Sequence, residues 1–171
     1  MSQELIDYSR KALIFAVQLL GSQSDAEDVV QASVEKALAH PKAPKGGIDL
    51  QKWLYRVVRN AAIDRIRQLS REDELDTEQQ SSLTQSPERH LEQLQIKARL
   101  MTALNALPLM QRELIVLRDY HGNSYEDIAE ILAVPAGTVM SRLHRARMAL
   151  RTLLQEEQAS NELNEVNHES V

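Results

Sequence analysis

The chain has 171 residues, a formal net charge of −5, no cysteine, five glycines and five prolines. Disulfides and thiolate metal sites are thereby excluded. Long periodic segments rich in Leu, Ala, Gln, Glu and Arg predict an all-α protein rather than a sandwich or barrel. No apolar run is long enough to span a bilayer, and Met1-Ser2-Gln3-Glu4 lacks the basic start of a signal peptide, so a cytoplasmic protein without membrane insertion is expected.

In chain order, a first helix is predicted from about Gln3 to Leu20, ending at Gly21. A second starts at Ser24-Asp25-Ala26-Glu27, a cap with an acid three residues on, and runs to about Ala39 with Ala26, Val30, Val34 and Ala37 buried. Two prolines and two glycines make His40–Gly47 a loop. A third helix runs from about Asp49 to Leu69, with Leu50, Leu54, Val57, Val58, Ala61 and Ile66 on its apolar side. Residues 71–92 read as a flexible acidic linker, within which Ser86-Pro87 opens another helix. Leu107-Pro108 interrupts, a short helix follows to about Asp119, and His121-Gly122-Asn123 is a turn. Helices over 124–133 and 138–155 come next, and 156–171 is expected to be a disordered acidic tail. Two small helical domains, 1–70 and 93–155, result.

Charge follows the same division. Residues 71–92 hold seven acids against two bases, and 155–171 hold five acids and no base. Residues 1–70, with ten bases and eight acids, and 93–154, with eight and five, are mildly basic. A low overall pI therefore does not exclude a nucleic-acid partner.

The stretch Ser124–Arg151 is the most informative. Ser124 is placed to cap a helix with Tyr125, Ile128, Ala129 and Leu132 on one face, and Pro135 and Gly137 then force a sharp turn. In the next helix Val139, Leu143, Ala146 and Leu150 form a narrow apolar stripe, while Ser141, Arg142, His144, Arg145 and Met148 point elsewhere. Two helices, a tight turn and a basic outer face describe a helix-turn-helix whose second helix fits a major groove. An αα-hairpin with a solvated basic face has the same spacing. The absence of any acid between Ala136 and Leu154 weighs against it, because solvated helices usually mix signs.

Asn123-Ser124-Tyr125-Glu126-Asp127-Ile128-Ala129, followed by Gly137-Thr138-Val139-Met140-Ser141-Arg142 and Arg145-Ala146-Arg147, resembles region four of the extracytoplasmic-function (ECF) sigma factors. Ala106-Leu107-Pro108 with Gln111-Arg112 and Leu117-Arg118 is similar to the helices before it in that family. LuxR-type response-regulator domains share such a turn. Two blocks in the N-terminal half separate the alternatives. Asp25-Ala26-Glu27-Asp28-Val29-Val30-Gln31 resembles region two's polymerase-docking helix, and Trp53-Leu54-Tyr55-Arg56-Val57-Val58-Arg59-Asn60 with Asp64 resembles its promoter-melting helix.

The resemblance implies a subunit that binds core RNA polymerase and promoter DNA, with an anti-sigma factor as a further partner. Docking on the β′ coiled coil falls to Asp25, Asp28, Gln31 and Glu35, although acids at a helix start also simply favour its dipole. Ala32 stands where the family often has Glu. Minus-ten contacts fall to Lys45, Trp53, Tyr55, Arg56, Arg59 and Asn60, a mixture of cations, aromatics and amide suited to unstacked bases. Core packing is the alternative for Trp53, and a plain surface amide for Asn60. Reading of the minus-thirty-five element, with contact to the β flap, falls to region four through Thr138, Met140, Ser141, Arg142, His144 and Arg145.

No enzyme site emerges. The five histidines, at 40, 90, 121, 144 and 168, lack metal-ligand spacing and read as surface residues. Gly46-Gly47 is not followed by the Lys-Ser/Thr of a phosphate loop, and no cofactor is expected. A stand-alone DNA-binding regulator is the remaining competitor.

Overall fold

A computed structural model of the chain describes residues 2–73 and 91–168, all of whose regular structure is helical. Helix α1 (Gln3–Leu20) is capped by Ser2 and closed by Gly21 in the left-handed region, φ 69°. Helix α2 (Gln23–Ala39) starts earlier than the capping signal suggests, because the Ser22 hydroxyl, not that of Ser24, accepts the Asp25 amide at 3.3 Å. Helix α3 (Gly47–Asp73) is longer than expected at both ends. These three pack on one another through Leu5, Ala12, Phe15, Ala16, Leu19, Ala26, Val29, Val30, Leu50, Leu54, Val58 and Ala62.

Of the linker 71–92, residues 71–73 belong to α3 and 91–92 to the next helix, α4 (Leu91–Ala106). The Ser86-Pro87 helix start lies outside the described residues. Pro108 interrupts the chain before α5 (Leu109–Ile115), which passes directly into a π-helical turn over Val116–Tyr120. Helix α6 (Tyr125–Leu132) is capped by the Ser124 hydroxyl, which accepts the Asp127 amide at 3.1 Å. Helix α7 covers Ala136–His168. Leu114, Leu117, Ile128, Ile131, Val139, Leu143 and Ala146 form the core of this second unit.

Two expectations need correction. The turn between α6 and α7 is made at Ala133, which takes φ 54°, whereas Gly137 is an ordinary residue of the first turn of α7. The described part of the tail is helical rather than disordered, since α7 continues through 155–168. Its composition explains why, since Leu, Gln, Glu and Ala are good helix formers and no Gly or Pro follows Gly137. A local bond such as Gln158 Nε2 to Glu162 Oε1, 3.3 Å, adds support at i,i+4 spacing.

Arg112 ties the corner between α4 and α5. Its guanidinium donates to the carbonyls of Leu104, Asn105 and Leu107, and also to that of Leu19 at the end of α1, at 2.8–3.1 Å. One side chain thus satisfies carbonyls that the ends of two helices leave over.

Candidate nucleic-acid and polymerase interfaces

The acids of α2 separate by helical phase. Asp28, Gln31 and Glu35 are exposed along one ridge, with Gln31 Nε2 3.5 Å from Glu35 Oε1. Asp25 faces α3 instead, where Arg65 reaches its Oδ1 with Nε and Nη2, both at 2.8 Å. It fastens two helices of the first unit together.

The six minus-ten candidates do not form one site, because they occupy different faces of α3. Trp53, Val57, Asn60, Ala61 and Asp64 repeat at helical spacing and, with Lys36, Ala39, His40 and Pro41, line an open cavity of about 530 Å³. Lys45 is exposed on the preceding loop. That loop closes where the Gly47 amide, in a residue at φ 66°, donates to Glu4 Oε2 at 3.3 Å. Tyr55 is 1% exposed. Arg56 and Arg59 point at the second unit, as does Lys52, which composition and pattern did not single out.

At that junction Arg59 forms a fork with Glu113, Nε to Oε2 at 2.7 Å and Nη2 to Oε1 at 3.1 Å. The Glu113 side chain is only 3% exposed. Lys52 Nζ lies 2.7 Å from Glu130 and 3.7 Å from Asp127, besides 3.4 Å from Asp49 on its own helix. The Glu130 hydrogen bond holds the Lys52 ammonium above its usual range. Arg56 donates to the backbone carbonyl of Glu130.

Beneath these pairs lies a ring cluster that contradicts one expectation. His121 is not a surface residue: its ring stands edge-on to Phe15 and Tyr55, with centroids 5.8 and 5.5 Å away. Its Nε2 is 2.9 Å from the Gln18 side-chain oxygen and its Nδ1 3.0 Å from the Tyr55 hydroxyl. The Gln18 oxygen can only accept, so the proton belongs on Nε2, and Nδ1 accepts from Tyr55. Burial, reinforced by the Lys11 charge, pushes the His121 pKa down to about 4, and burial pushes the Tyr55 phenol up to about 12. The ring reaches inward because Gly122 adopts φ 69° and the Asn123 amide side chain donates to the Leu117 carbonyl at 3.0 Å.

On α7, Val139, Leu143 and Ala146 are buried, while Met140, Ser141, Arg142, His144 and Arg145 are exposed and Thr138 is half-buried. Arg142 and Arg145 make no ion pair among the described residues. Arg147 turns the other way, where its guanidinium grips Asp119 at 2.5 and 3.0 Å and anchors α7 to the π-helical turn. No group of metal-ligating side chains occurs among the described residues, and none of their helices is long and apolar enough to cross a membrane.

Two helical units, the second presenting an unpaired basic face on a helix-turn-helix, define the architectural class. The family match is more specific: residues 5–72 match Sigma-70 region 2 and residues 97–150 match Sigma-70, region 4. The chain is 36% identical to the ECF RNA polymerase sigma factor EcfG of Rhodopseudomonas palustris, over 82% of this chain and 77% of that one. It is 30% identical to the RNA polymerase sigma factor SigV of Bacillus subtilis, over 91% and 92%. Among solved structures, the sigma factor RpoE of Bartonella quintana, in complex with the anti-sigma factor NepR, is similar with a TM-score of 0.71 at 34% identity, covering 90% of this chain and 95% of that one. The chain belongs to the ECF sigma factors of the sigma-70 family, which direct transcription initiation.

Proposed function

We propose that the chain is an alternative sigma factor whose two units divide promoter recognition. The first docks on the β′ coiled coil of core RNA polymerase through Asp28, Gln31 and Glu35, with Asp25 holding that ridge in place. It opens the minus-ten element on α3, where the cavity beside Trp53 and Asn60 has room for an unstacked base and the cations of α3 meet phosphates. The second reads the minus-thirty-five element and touches the β flap. Polymerase supplies the catalytic chemistry.

The observation that carries this reading is the face of α7 between Thr138 and Arg145. Arg142 and Arg145 are exposed, unpaired among the described residues and free of any neighbouring acid on their helix, as a groove-reading helix requires. Met140, 55% exposed, offers an apolar surface suited to a thymine methyl rather than to a phosphate. An anti-sigma factor is the expected inhibitor, in keeping with the Bartonella relative bound to NepR. The test is association: the purified chain should co-migrate with core polymerase, and Asp28→Ala with Gln31→Ala should weaken that association. Tight duplex binding with no association with core would instead identify a stand-alone regulator.

A further inference from the structure

The two glycines of Gly46-Gly47 answer different demands. Gly47 adopts φ 66°, a backbone conformation that favours glycine. Gly46 has no positive φ, and what it lacks is room: a Cβ there would stand 2.6 Å from Glu4 Oε2. The same oxygen accepts the Gly47 amide at 3.3 Å. That amide belongs to the first residue of α3, among the donors that a helix start leaves without an intrahelical partner. Gly46, just before it, has no side chain with which to cap the helix. A carboxylate from the first turn of α1 caps it instead, at the positive end of the α3 dipole.

Glu4 makes no ion pair among the described residues, so its carboxylate is left to the loop. Its grip is one of two points that fix residues 40–47. At the other, the Ala43 amide donates to the His40 carbonyl and the Lys42 amide to His40 Nδ1, both at 3.1 Å, and Ala43 is buried. Between the two points Lys45 is carried exposed. His40 and Pro41, at the start of the loop, line the cavity together with Trp53 and Asn60. From this arrangement we infer that Glu4 is a positioning residue for minus-ten recognition. By holding Gly46 and Gly47 it sets where the 40–47 loop stands beside the cavity, and so sharpens the choice among bases without touching DNA itself.

This role rests on the cavity beside Trp53 and Asn60 being the minus-ten base pocket, and the experiment separates the two. Core polymerase reconstituted with the full chain is mixed with single-stranded oligonucleotides of randomised sequence, and the bound strands are sequenced. The wild type should enrich particular bases, and Asn60→Ala should flatten that enrichment. Glu4→Ala should reduce it by about threefold, the effect of one hydrogen bond, with core affinity and thermal midpoint unchanged. Glu4→Gln keeps an acceptor oxygen and should restore most of the enrichment. Gly46→Ala should reproduce Glu4→Ala, because the added Cβ displaces only the end of a flexible side chain. It leaves Glu4 at the start of its own helix but takes it off the loop. Asp7→Asn, which removes a charge from the same helix, should change nothing. If Asn60→Ala flattens the enrichment while Glu4→Ala and Gly46→Ala leave it at the wild-type level, the positioning role is wrong and the pocket stands. If Asn60→Ala has no effect, the pocket is wrong and the role of Glu4 falls with it. A loss that Glu4→Gln does not relieve, or that comes with a lower thermal midpoint, would make Glu4 a structural residue and overturn the inference.

Discussion

His121 shows how a single side chain acquires a role that its sequence neighbourhood conceals. His121-Gly122-Asn123 reads correctly as a turn, yet turn composition does not say where the ring goes. It goes inward, between Phe15 and Tyr55. The group is held neutral, with a pKa of about 4 against 6.5 for a free histidine. The unfolded chain therefore takes up the proton first as pH falls. The stability that the neutral ring contributes is complete above pH 6.5 and is lost between there and about 4. Thermal unfolding followed from neutral pH downward should show a falling midpoint in the wild type and a flatter profile in His121→Phe. Arg142 and Arg145 are legible in the sequence itself, because an acid-free arginine helix after a tight turn is a local pattern. Replacing either by Ala should reduce promoter use by about 1–3 kcal/mol if it makes a bidentate base contact, measured as the salt-matched loss of affinity for a promoter duplex.

At the scale of elements, helix existence follows from apolar periodicity, and the differences fall at ends and turns. Ser22 and Ser24 are both reasonable caps, and only geometry selects Ser22. The left-handed position at Ala133 carries no glycine or asparagine to announce it, and the nearby Gly137 is the more obvious signal for a turn. The polar stretch 155–168 reads as disordered because it has few apolar residues, while helix propensity and local hydrogen bonds favour continuing α7. Truncation after Leu154 should therefore lower the helical circular dichroism signal while leaving the thermal midpoint of the two units unchanged. On α2 the ridge and the structural acid are separable. Asp25→Ala removes the partly buried partner of Arg65 and should lower stability by up to about 1 kcal/mol in denaturant titration. Asp28→Ala with Gln31→Ala should leave stability unchanged and weaken core polymerase binding.

For the whole molecule, two helical units and their order along the chain are readable in the sequence, but not their junction. Arg59 meets Glu113 across 54 positions and His121 meets Gln18 across 103, separations that no periodic pattern encodes. Phe15 illustrates the consequence: it is fully buried at the point where the units meet. Phe15→Ala should cost about 3–5 kcal/mol in chemical denaturation. The assignment to the ECF sigma factors makes the most direct demand of all. Core RNA polymerase supplemented with the purified chain should produce discrete run-off transcripts from a subset of genomic promoter fragments, and Arg142→Ala with Arg145→Ala should abolish them. Core polymerase that gains no promoter-specific transcript from any fragment would contradict the account.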